Sequence, residues 1–141
     1  KNIGNDFDTV IFPQLTSPLR HYRDFKDALA LYIEGNYDSL FSSNDALDFL
    51  LWKKDKFGEL MELNFDNKNR KPRQDKESQL IENGSFYIFD KNKFKVYRTR
   101  LFESIGEYRM ESWQLFEIDN FQDLELCRHI SKIKNSDGIY G

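Results

Sequence analysis

The sequence predicts an α/β domain built on a sheet of mixed strand directions. Segments of strand type alternate with stretches whose apolar residues recur at helical spacing, in the order β-α-β, hairpin, β-(α)-β-β-α. The 141 residues suit one domain, and a composition that is 39% hydrophobic and 32% charged is typical of a globular protein. The 16% aromatic content excludes a disordered chain.

The first elements predict a βαβ unit. Residues 9–12 (TVIF) are β-branched or aromatic and indicate a strand, and residues 13–20 (PQLTSPLR), with two prolines, indicate a loop. From Tyr22 the apolar residues follow helical spacing, and we expect this helix to end near Gly35. Residues 37–43 (YDSLFSS) predict the next strand. We therefore expect the two strands to form a parallel pair with a right-handed crossover.

The middle of the chain predicts a hairpin and a polar loop. Residues 47–54 and 58–64 are strand-like segments, and a short break next to Gly58 separates them. Residues 65–79 are polar and charged throughout, which is typical of a solvated loop.

The last part of the chain predicts three more strands and two helices. Strands are expected at 84–90, 105–110 and 115–119, with a short helix after the first of them. Asn120 can cap a final helix, and Asp123, three residues later, completes a weakened capping box.

Composition also narrows the classes of function. A net charge of −3 argues against a general nucleic-acid binder, and no apolar run reaches the roughly 18 residues of a membrane span. The first residues have no apolar targeting core, and Cys127 is the single cysteine, so a reducing cytoplasm is the expected location. His129 has no second histidine near it in sequence, and we find no zinc spacing or Ser-His-Asp pattern.

Glu117 and Asp119 raise a question about charge. On a strand, residues two apart point to the same face, so both carboxylates would meet at a strand end, where α/β sheets hold ligands. Two close anions repel unless a cation lies between them, and Mg²⁺ accepts one or two carboxylates plus phosphate oxygens and water. Spacing alone leaves two interpretations open, a magnesium site or two solvated acids beside a helix cap.

Three further motifs carry polar groups but are individually ambiguous. The loop at 14–20 (QLTSPLR) suits a polar or anionic ligand, or is a plain turn. Arg73, in a basic run, and Asn83-Gly84, a turn signal before a strand, are also explained by ordinary loops.

Taken together, these motifs resemble one family. QLTSPLR, PRQ, ENGSFYIF and EYRMESWQLFEIDNFQDL, in this order, resemble the acylneuraminate cytidylyltransferases, or CMP–sialic acid synthetases, from about Asp8 to His129. The resemblance implies a Rossmann-like nucleotidyltransferase with a mixed, mainly parallel sheet and helices on both faces. It also implies Mg²⁺-dependent transfer of CMP from CTP to a nine-carbon 2-keto sugar acid (an N-acylneuraminate), with release of pyrophosphate.

The resemblance implies site residues at the matching positions. Glu117 and Asp119 would hold Mg²⁺ and help to deprotonate the attacking hydroxyl, and Arg73 would be a positive catalytic group. The residues expected to bind the substrate or shape its loop are Gln14, Thr16, Ser17, Arg20, Asn83 and Tyr87. Residues 47–75 fall where the family has a dimerisation arm, so a homodimer is expected.

The chain also departs from the family pattern. We find no Gly-rich, basic nucleotide-binding loop ahead of the 14–20 motif, so the chain resembles the C-terminal portion of a single nucleotidyltransferase domain. We therefore expect an uncovered sheet edge and no productive CTP binding by these residues alone. Ile81 occupies a position where some members carry a second arginine.

Other functions stay open on the sequence. Legionaminic-acid and related nonulosonate cytidylyltransferases share these motifs, so the sugar is not specified. A truncated, non-catalytic relative that acts as a dimerising module is a second alternative. The Kdo enzyme is disfavoured by the ENGSFY motif.

Overall fold

The computed structural model describes residues 7–46, 49–72, 78–136 and 138. The chain divides into two compact units. The first takes in the described parts of Lys1–Asn44 and Ile81–Gly141, and the second those of Asp45–Leu80. In chain order the elements are β1 (Thr9–Pro13), α1 (Tyr22–Glu34), β2 (Ser39–Asp45), β3 (Trp52–Lys54), β4 (Leu60–Glu62), β5 (Leu80–Asp90), α2 (Lys91–Tyr97), β6 (Ile105–Arg109) and α3 (Phe121–Ser136).

The first unit is built on a four-stranded mixed sheet with the order β1-β5-β2-β6. β1 runs antiparallel to β5, and β2 runs parallel to β6. The amide of Asp90 donates to the carbonyl of Asp38 (3.2 Å) and the amide of Phe86 donates to Oγ of Ser42 (2.9 Å), so β5 also runs antiparallel to β2. The α/β class with mixed strand directions is confirmed.

The predicted parallel pairing of β1 with β2 is wrong, because β5 lies between them. Two of the three strand pairings are antiparallel, so the sheet is not mainly parallel. The burial of the strands explains this order. β5 is long, and its aromatic half is buried on both faces, which is typical of a central strand. The short β1 is mostly exposed, which is typical of an edge strand.

Side chains of β5 alternate between two hydrophobic clusters. Phe86 and Ile88 belong to a cluster that includes Ala28 of α1, and Tyr87 and Phe89 belong to another, against which Phe94 of α2 packs. Because successive strand residues point to opposite faces, α1 and α2 cover opposite faces of the sheet.

Both long helices are capped by side chains close to their predicted starts. His21 caps α1, and its own amide donates to the carboxylate of Asp24 (2.6 Å), which completes a capping box. The helix ends at Glu34, and the left-handed residue after it is Asn36 (φ 49°) rather than Gly35, which stays right-handed.

The predicted strand at 115–119 is wrong. A 3₁₀ helix covers Ser112–Leu115, and the chain then runs irregularly into α3. Ile118 donates one main-chain hydrogen bond to Thr16 (2.8 Å), so the segment touches the 14–20 loop without joining the sheet. The side chain of Gln114, which is buried, accepts from the amide of Glu111 and thereby stabilises the 3₁₀ turn.

The predicted cap of α3 is confirmed. The Asn120 side chain accepts from the amides of Gln122 and Asp123, and the Asp123 carboxylate accepts from the amides of Asp119 and Asn120. Each group satisfies main-chain donors that the first helical turn leaves unpaired.

The second unit contains the predicted hairpin, in which β3 and β4 pair antiparallel with Trp52 opposite Glu62. The carboxylate of Asp55 accepts from the amides of Phe57 and Glu59, which closes the turn around the left-handed Gly58 (φ 87°). None of the helices in the described part of the chain is long and apolar enough to cross a membrane.

Candidate functional site

An open cavity of about 480 Å³ lies at one end of the β1–β5 pair. Four segments contribute described residues to its wall: the loop after β1, strand β5, the chain from the end of the 3₁₀ helix to α3, and the first turn of α3. The lining residues are Gln14, Glu82, Asn83, Gly84, Tyr87, Leu115, Phe116, Glu117, Asp119 and Asp123, and we call this cavity the acidic pocket. The amide of Gln14 donates to the carbonyl of Ser85 (2.9 Å), which extends the β1–β5 ladder into the pocket wall.

The structure brings together most of the residues that the sequence singled out. Five of them line the acidic pocket: Gln14, Asn83, Tyr87, Glu117 and Asp119. Thr16, Ser17 and Arg20 are not lining residues but contact residues that are. Arg73 lies outside the described residues. Two lining acids, Glu82 and Asp123, were not predicted as site residues, although Glu82 stands directly before the Asn83-Gly84 signal.

Arg20 fastens the 14–20 loop to β5. Its Nη1 donates to the main-chain carbonyls of Gln14 (2.8 Å) and Ser85 (3.3 Å), and also to that of Ser17. Burial lowers the pKa of Arg20 from its ordinary value, because the charged form loses contact with water. Nε2 of Gln14 donates to Oγ1 of Thr16 (3.0 Å) within the same loop. In this arrangement Arg20 and Thr16 position the loop and its glutamine.

The four lining acids differ in what they already bind. Tyr87 donates to Glu82 at 2.5 Å, and Asp123 is occupied by the cap of α3. Oγ of Ser17 donates to Oε1 of Glu117 (3.0 Å), which fixes one oxygen of that half-buried carboxylate. The Asp119 carboxylate is exposed and has no hydrogen bond or ion pair among the described residues. Glu117 and Asp119 are therefore the acids best placed to meet a ligand.

The donor set of the acidic pocket fits a hard cation that keeps part of its hydration shell. Within the part of the chain that the structure describes, the lining holds four carboxylates and no lysine or arginine. Within the described residues no three His, Cys, Asp or Glu side chains converge closely enough to hold a metal by themselves. Mg²⁺ needs only one or two carboxylates when water and phosphate oxygens complete its octahedron. Glu117 and Asp119 would supply those carboxylates.

Asn83 is buried, at 5% exposure, and its amide is fully engaged inside the protein. Its Nδ2 donates to Oδ1 of Asn44 (2.7 Å) and contacts the sulfur of Met110 (3.3 Å). Its Oδ1 accepts from Oγ of Ser42 (2.6 Å) and from the amide of Ser85 (3.0 Å). An asparagine amide has two donor hydrogens and two acceptor lone pairs, so these contacts use its whole capacity. Asn83 holds the turn in β5 and has no polar atom left for a ligand.

Gly84 occupies a position that other residues do not fit. Its φ is +65°, in the left-handed region, and a Cβ at this position would lie 2.7 Å from Oε1 of Glu117 and 3.3 Å from Oε1 of Gln14. The left-handed turn also breaks the alternation of β5, because Asn83 contacts Met110, a member of the same cluster as Phe86. The absence of a side chain at residue 84 thus lets Gln14 and Glu117 approach the strand.

We expect Gly84→Ala to weaken ligand binding by the acidic pocket and to destabilise the fold by about 1–2 kcal/mol. The left-handed backbone costs an L-residue about that much, and the new methyl group displaces the Glu117 carboxylate. Chemical denaturation and Mg²⁺ titration measure the two effects. Gly58→Ala is the matched control, because its φ is also positive (+87°) but no atom lies within 4 Å of its Cβ position. Equal Mg²⁺ affinity in the two variants would contradict the steric part of the prediction.

Tyr87 forms the aromatic wall of the acidic pocket. Burial, together with the hydrogen bond to Glu82, raises the pKa of Tyr87 to about 12, so the phenol is neutral at physiological pH. The guanidinium of Arg100 lies over its ring, with Cζ 4.1 Å from the ring centroid. Tyr87 is therefore a neutral and buried part of the pocket wall, at 3% exposure.

A buried hydrogen-bond network behind the site was not predicted. Nε2 of Gln114 donates to the carbonyl of Leu19 (3.0 Å) and to the carboxylate of Asp24 (2.8 Å). This network joins the end of the 14–20 loop, the start of α1 and the 3₁₀ helix that precedes Glu117. A lone glutamine inside an apolar segment carries no sequence signal for such a role.

Comparison with known proteins shows a similarity to a cytidylyltransferase. The chain is 35% identical over 89 residues to the N-acylneuraminate cytidylyltransferase of Oncorhynchus mykiss. The aligned stretch covers 62% of this chain and 21% of that protein, so the chain spans about a fifth of the length of this curated relative. No family model matches the chain. The similarity supports the resemblance that the motifs indicate, at the level of a cytidylyltransferase.

Proposed function

We propose that these residues form the sugar-acid and metal end of a cytidylyltransferase that acts on an N-acylneuraminate. The observation that carries the proposal is the convergence of Gln14, Tyr87, Glu117 and Asp119 on one acidic pocket, from segments up to about a hundred residues apart in the chain. The relative's name supports the reaction class and the sugar. The Rossmann-like character of the complete domain is part of the proposal.

In the proposed reaction the anomeric hydroxyl oxygen of the sugar forms a bond to the α-phosphorus of CTP. The bond from that phosphorus to the bridging oxygen breaks, and pyrophosphate leaves. The hydroxyl proton passes to a carboxylate, and the exposed Asp119 is placed to receive it. Mg²⁺, when bound, neutralises charge on the phosphate oxygens. Phosphoryl transfer depends mainly on positioning and charge neutralisation. In the proposal these residues position the sugar hydroxyl, and their carboxylates would hold the cation that neutralises phosphate charge.

Each side chain has a distinct part in the proposal. Ser17 fixes one oxygen of Glu117, so that carboxylate has a defined orientation toward the cation. Gln14 keeps its Oε1 at the Gly84 wall, where it can accept from a sugar hydroxyl. Tyr87 is buried in the pocket wall, where its hydroxyl orients the Glu82 carboxylate. Arg73 is proposed as a further positive group of the site.

The test is a coupled assay on the natural polypeptide that carries these residues. It contains CTP, Mg²⁺ and N-acetylneuraminate, and it measures both pyrophosphate and the CMP-sugar. We expect both products in equal amounts, and neither after removal of Mg²⁺ with a chelator. Pyrophosphate release that does not depend on the sugar would overturn the proposal. Parallel reactions with legionaminic acid and Kdo decide among the sugars, and faster turnover of either would replace the N-acylneuraminate as substrate.

A second proposal concerns assembly and holds with or without catalysis. The second unit exposes several large apolar side chains, among them Phe57 at 78% and Leu60 at 63% exposure. The others are Phe49, Leu51, Trp52, Met61 and Leu63. Such a density of exposed apolar side chains marks an interaction surface. We propose that this hairpin is the dimerisation arm of a homodimer, within the predicted range 47–75.

We expect the double variant Phe57→Asp, Leu60→Glu to convert the dimer into a folded monomer. Both side chains are exposed, so the change removes apolar contact with a second copy while costing the free chain little. Sedimentation velocity measures the mass, and circular dichroism verifies the fold. Val96→Glu, at an equally exposed position (77%) on α2, is the matched control and should remain dimeric. An unchanged mass in the double variant would exclude the hairpin as the interface.

A further inference from the structure

Arg100 is held against the acidic pocket by two aromatic rings. It lies between α2 and β6, and its Cζ is 4.1 Å from the ring centroid of Tyr87 and 5.8 Å from that of Phe12. Phe12 and Tyr87 are direct partners in the antiparallel β1–β5 ladder. Two rings on neighbouring strands therefore hold this guanidinium by cation–π contacts, although the side chain is exposed.

The donors of Arg100 are available to a ligand. Within the part of the chain that the structure describes, no carboxylate forms an ion pair with Arg100, and no hydrogen bond is made by its guanidinium. A cation–π contact uses no hydrogen-bond donor, so it leaves the N–H groups of a guanidinium free to form a bidentate contact. Arg20 also contacts a pocket residue, but its Nη1 is occupied by main-chain carbonyls.

The negative charge of the acidic pocket explains why a positively charged side chain beside it matters for the binding of an anionic ligand. The described lining residues of the pocket include four acids and no basic side chain, so they would repel an anionic ligand unless a cation accompanies it. Tyr87 is one of the lining residues, and Arg100 lies over its ring. A ligand in the pocket with a negatively charged group at one end would therefore meet Arg100 beside the Tyr87 ring.

We propose that Arg100 is an oxyanion-binding residue at the rim of the acidic pocket, which takes a carboxylate or phosphate group of the ligand through its free N–H donors. The identity of the ligand rests on the proposed function, but the anion site does not. A carboxylate would come from a sugar acid and a phosphate from a nucleotide or pyrophosphate. If Arg100 only shields the rings of Phe12 and Tyr87 from water, an added anion has no effect on its guanidinium.

The test observes the Arg100 guanidinium directly. The Nε–Hε signal of Arg100 in a proton–nitrogen correlation spectrum of the 141-residue chain is assigned by its loss in Arg100→Gln. N-acetylneuraminate, which has a carboxylate and no phosphate, is titrated without Mg²⁺, and inorganic pyrophosphate is titrated separately. We expect a saturable shift with at least one of them, and the anion that binds more tightly identifies the source. No shift with either anion would overturn the proposal.

Variants separate an anion site from a surface stack. Arg100→Gln should remove saturable anion binding, and Arg100→Lys, which keeps the charge but loses the planar fork, should weaken it about tenfold. These affinities are measured by calorimetry, with thermal unfolding to verify the fold. Arg98→Gln, an exposed arginine two residues away with no described side-chain contact, should bind like the unmodified chain. Equal affinity in Arg100→Gln and Arg98→Gln would overturn the proposal.

The two proposals fail in different ways. An anion-dependent shift at Arg100 without CMP-sugar formation by the natural polypeptide would leave the anion site standing and remove the cytidylyltransferase function. CMP-sugar formation with an unchanged KM for both substrates in Arg100→Gln would remove the anion site and leave the cytidylyltransferase function standing.

Discussion

Asp119→Asn is expected to reduce the proposed Mg²⁺-dependent CMP transfer by about a hundredfold or more, in the natural polypeptide, while the fold stays intact. The substitution keeps the size of the side chain but removes the negative charge and the proton-accepting oxygen. The fold should tolerate it because the Asp119 carboxylate is exposed and has no partner among the described residues. Steady-state turnover at several Mg²⁺ concentrations measures the effect, and the loss should not be restored by raising Mg²⁺.

The control for this variant is Asp27→Asn on α1. Asp27 is exposed and lies outside the lining of the acidic pocket, so its variant loses the same charge without touching the site. Near-normal turnover in Asp119→Asn would remove Asp119 from the mechanism. A comparable loss in Asp27→Asn would show that net charge, and not the position of the carboxylate, determines the rate.

Glu117→Gln should differ from Asp119→Asn in a measurable way. Glu117 accepts from Ser17 and lies against Gly84, so its replacement also alters the packing of the pocket wall. The structure therefore separates two acids that the sequence treats as an equivalent pair. The Asp119 carboxylate has no described contact and suits proton transfer. The Glu117 carboxylate is oriented by Ser17 and suits a metal.

The helices and the hairpin could be predicted from the sequence because their signals lie within a few residues. The spacing of apolar residues predicts α1, and Gly58 between two apolar segments predicts the hairpin. Asn120 and Asp123 predict the start of α3. Helical periodicity, caps and turns act over a few residues, so a single sequence carries them in full.

The strand order could not be predicted from the sequence, because strands that are far apart in the chain compete for the same neighbour in the sheet. β1 and β2 are neighbours along the chain, but β5, whose second half is buried and aromatic, lies between them. At 115–119 the apolar pattern suggested a strand, yet the four-stranded sheet has β1 and β6 at its edges. Among the described residues, the segment makes a main-chain hydrogen bond to Thr16 and none to a strand. Propensity specifies an extended chain there, and tertiary context decides whether it pairs.

Positions in the candidate site were easier to predict than roles. The motifs located the residues that line the acidic pocket, but not what each polar atom binds. Arg20 and Asn83 were expected to meet a ligand, and the structure shows their described contacts going to the protein itself. The direction of a hydrogen bond depends on neighbours from distant parts of the chain, such as Asn44 and Ser85, which the motif does not contain.

Asn83→Leu is expected to lower the free energy of unfolding by about 3 kcal/mol or more. Leucine has the same branched skeleton of side-chain heavy atoms but offers no hydrogen bond, so Oδ1 of Asn44 and the amide of Ser85 lose their partner at Asn83. A buried polar group left without a partner costs about 1–3 kcal/mol, and here at least two are affected. Urea denaturation monitored by tryptophan fluorescence measures the change, and the slope with denaturant should remain the same.

The matched control is Asn92→Leu, because Asn92 is exposed near the start of α2 and its side chain has no described hydrogen bond. Its effect should stay within about 0.5 kcal/mol. The comparison separates two roles for Asn83. If it holds the turn at Gly84, the variant loses stability, and ligand affinity falls only because the wall of the pocket moves. If it contacts the sugar instead, Asn83→Leu keeps its stability and loses affinity alone, and that result would show that the buried network around Asn83 contributes little to folding.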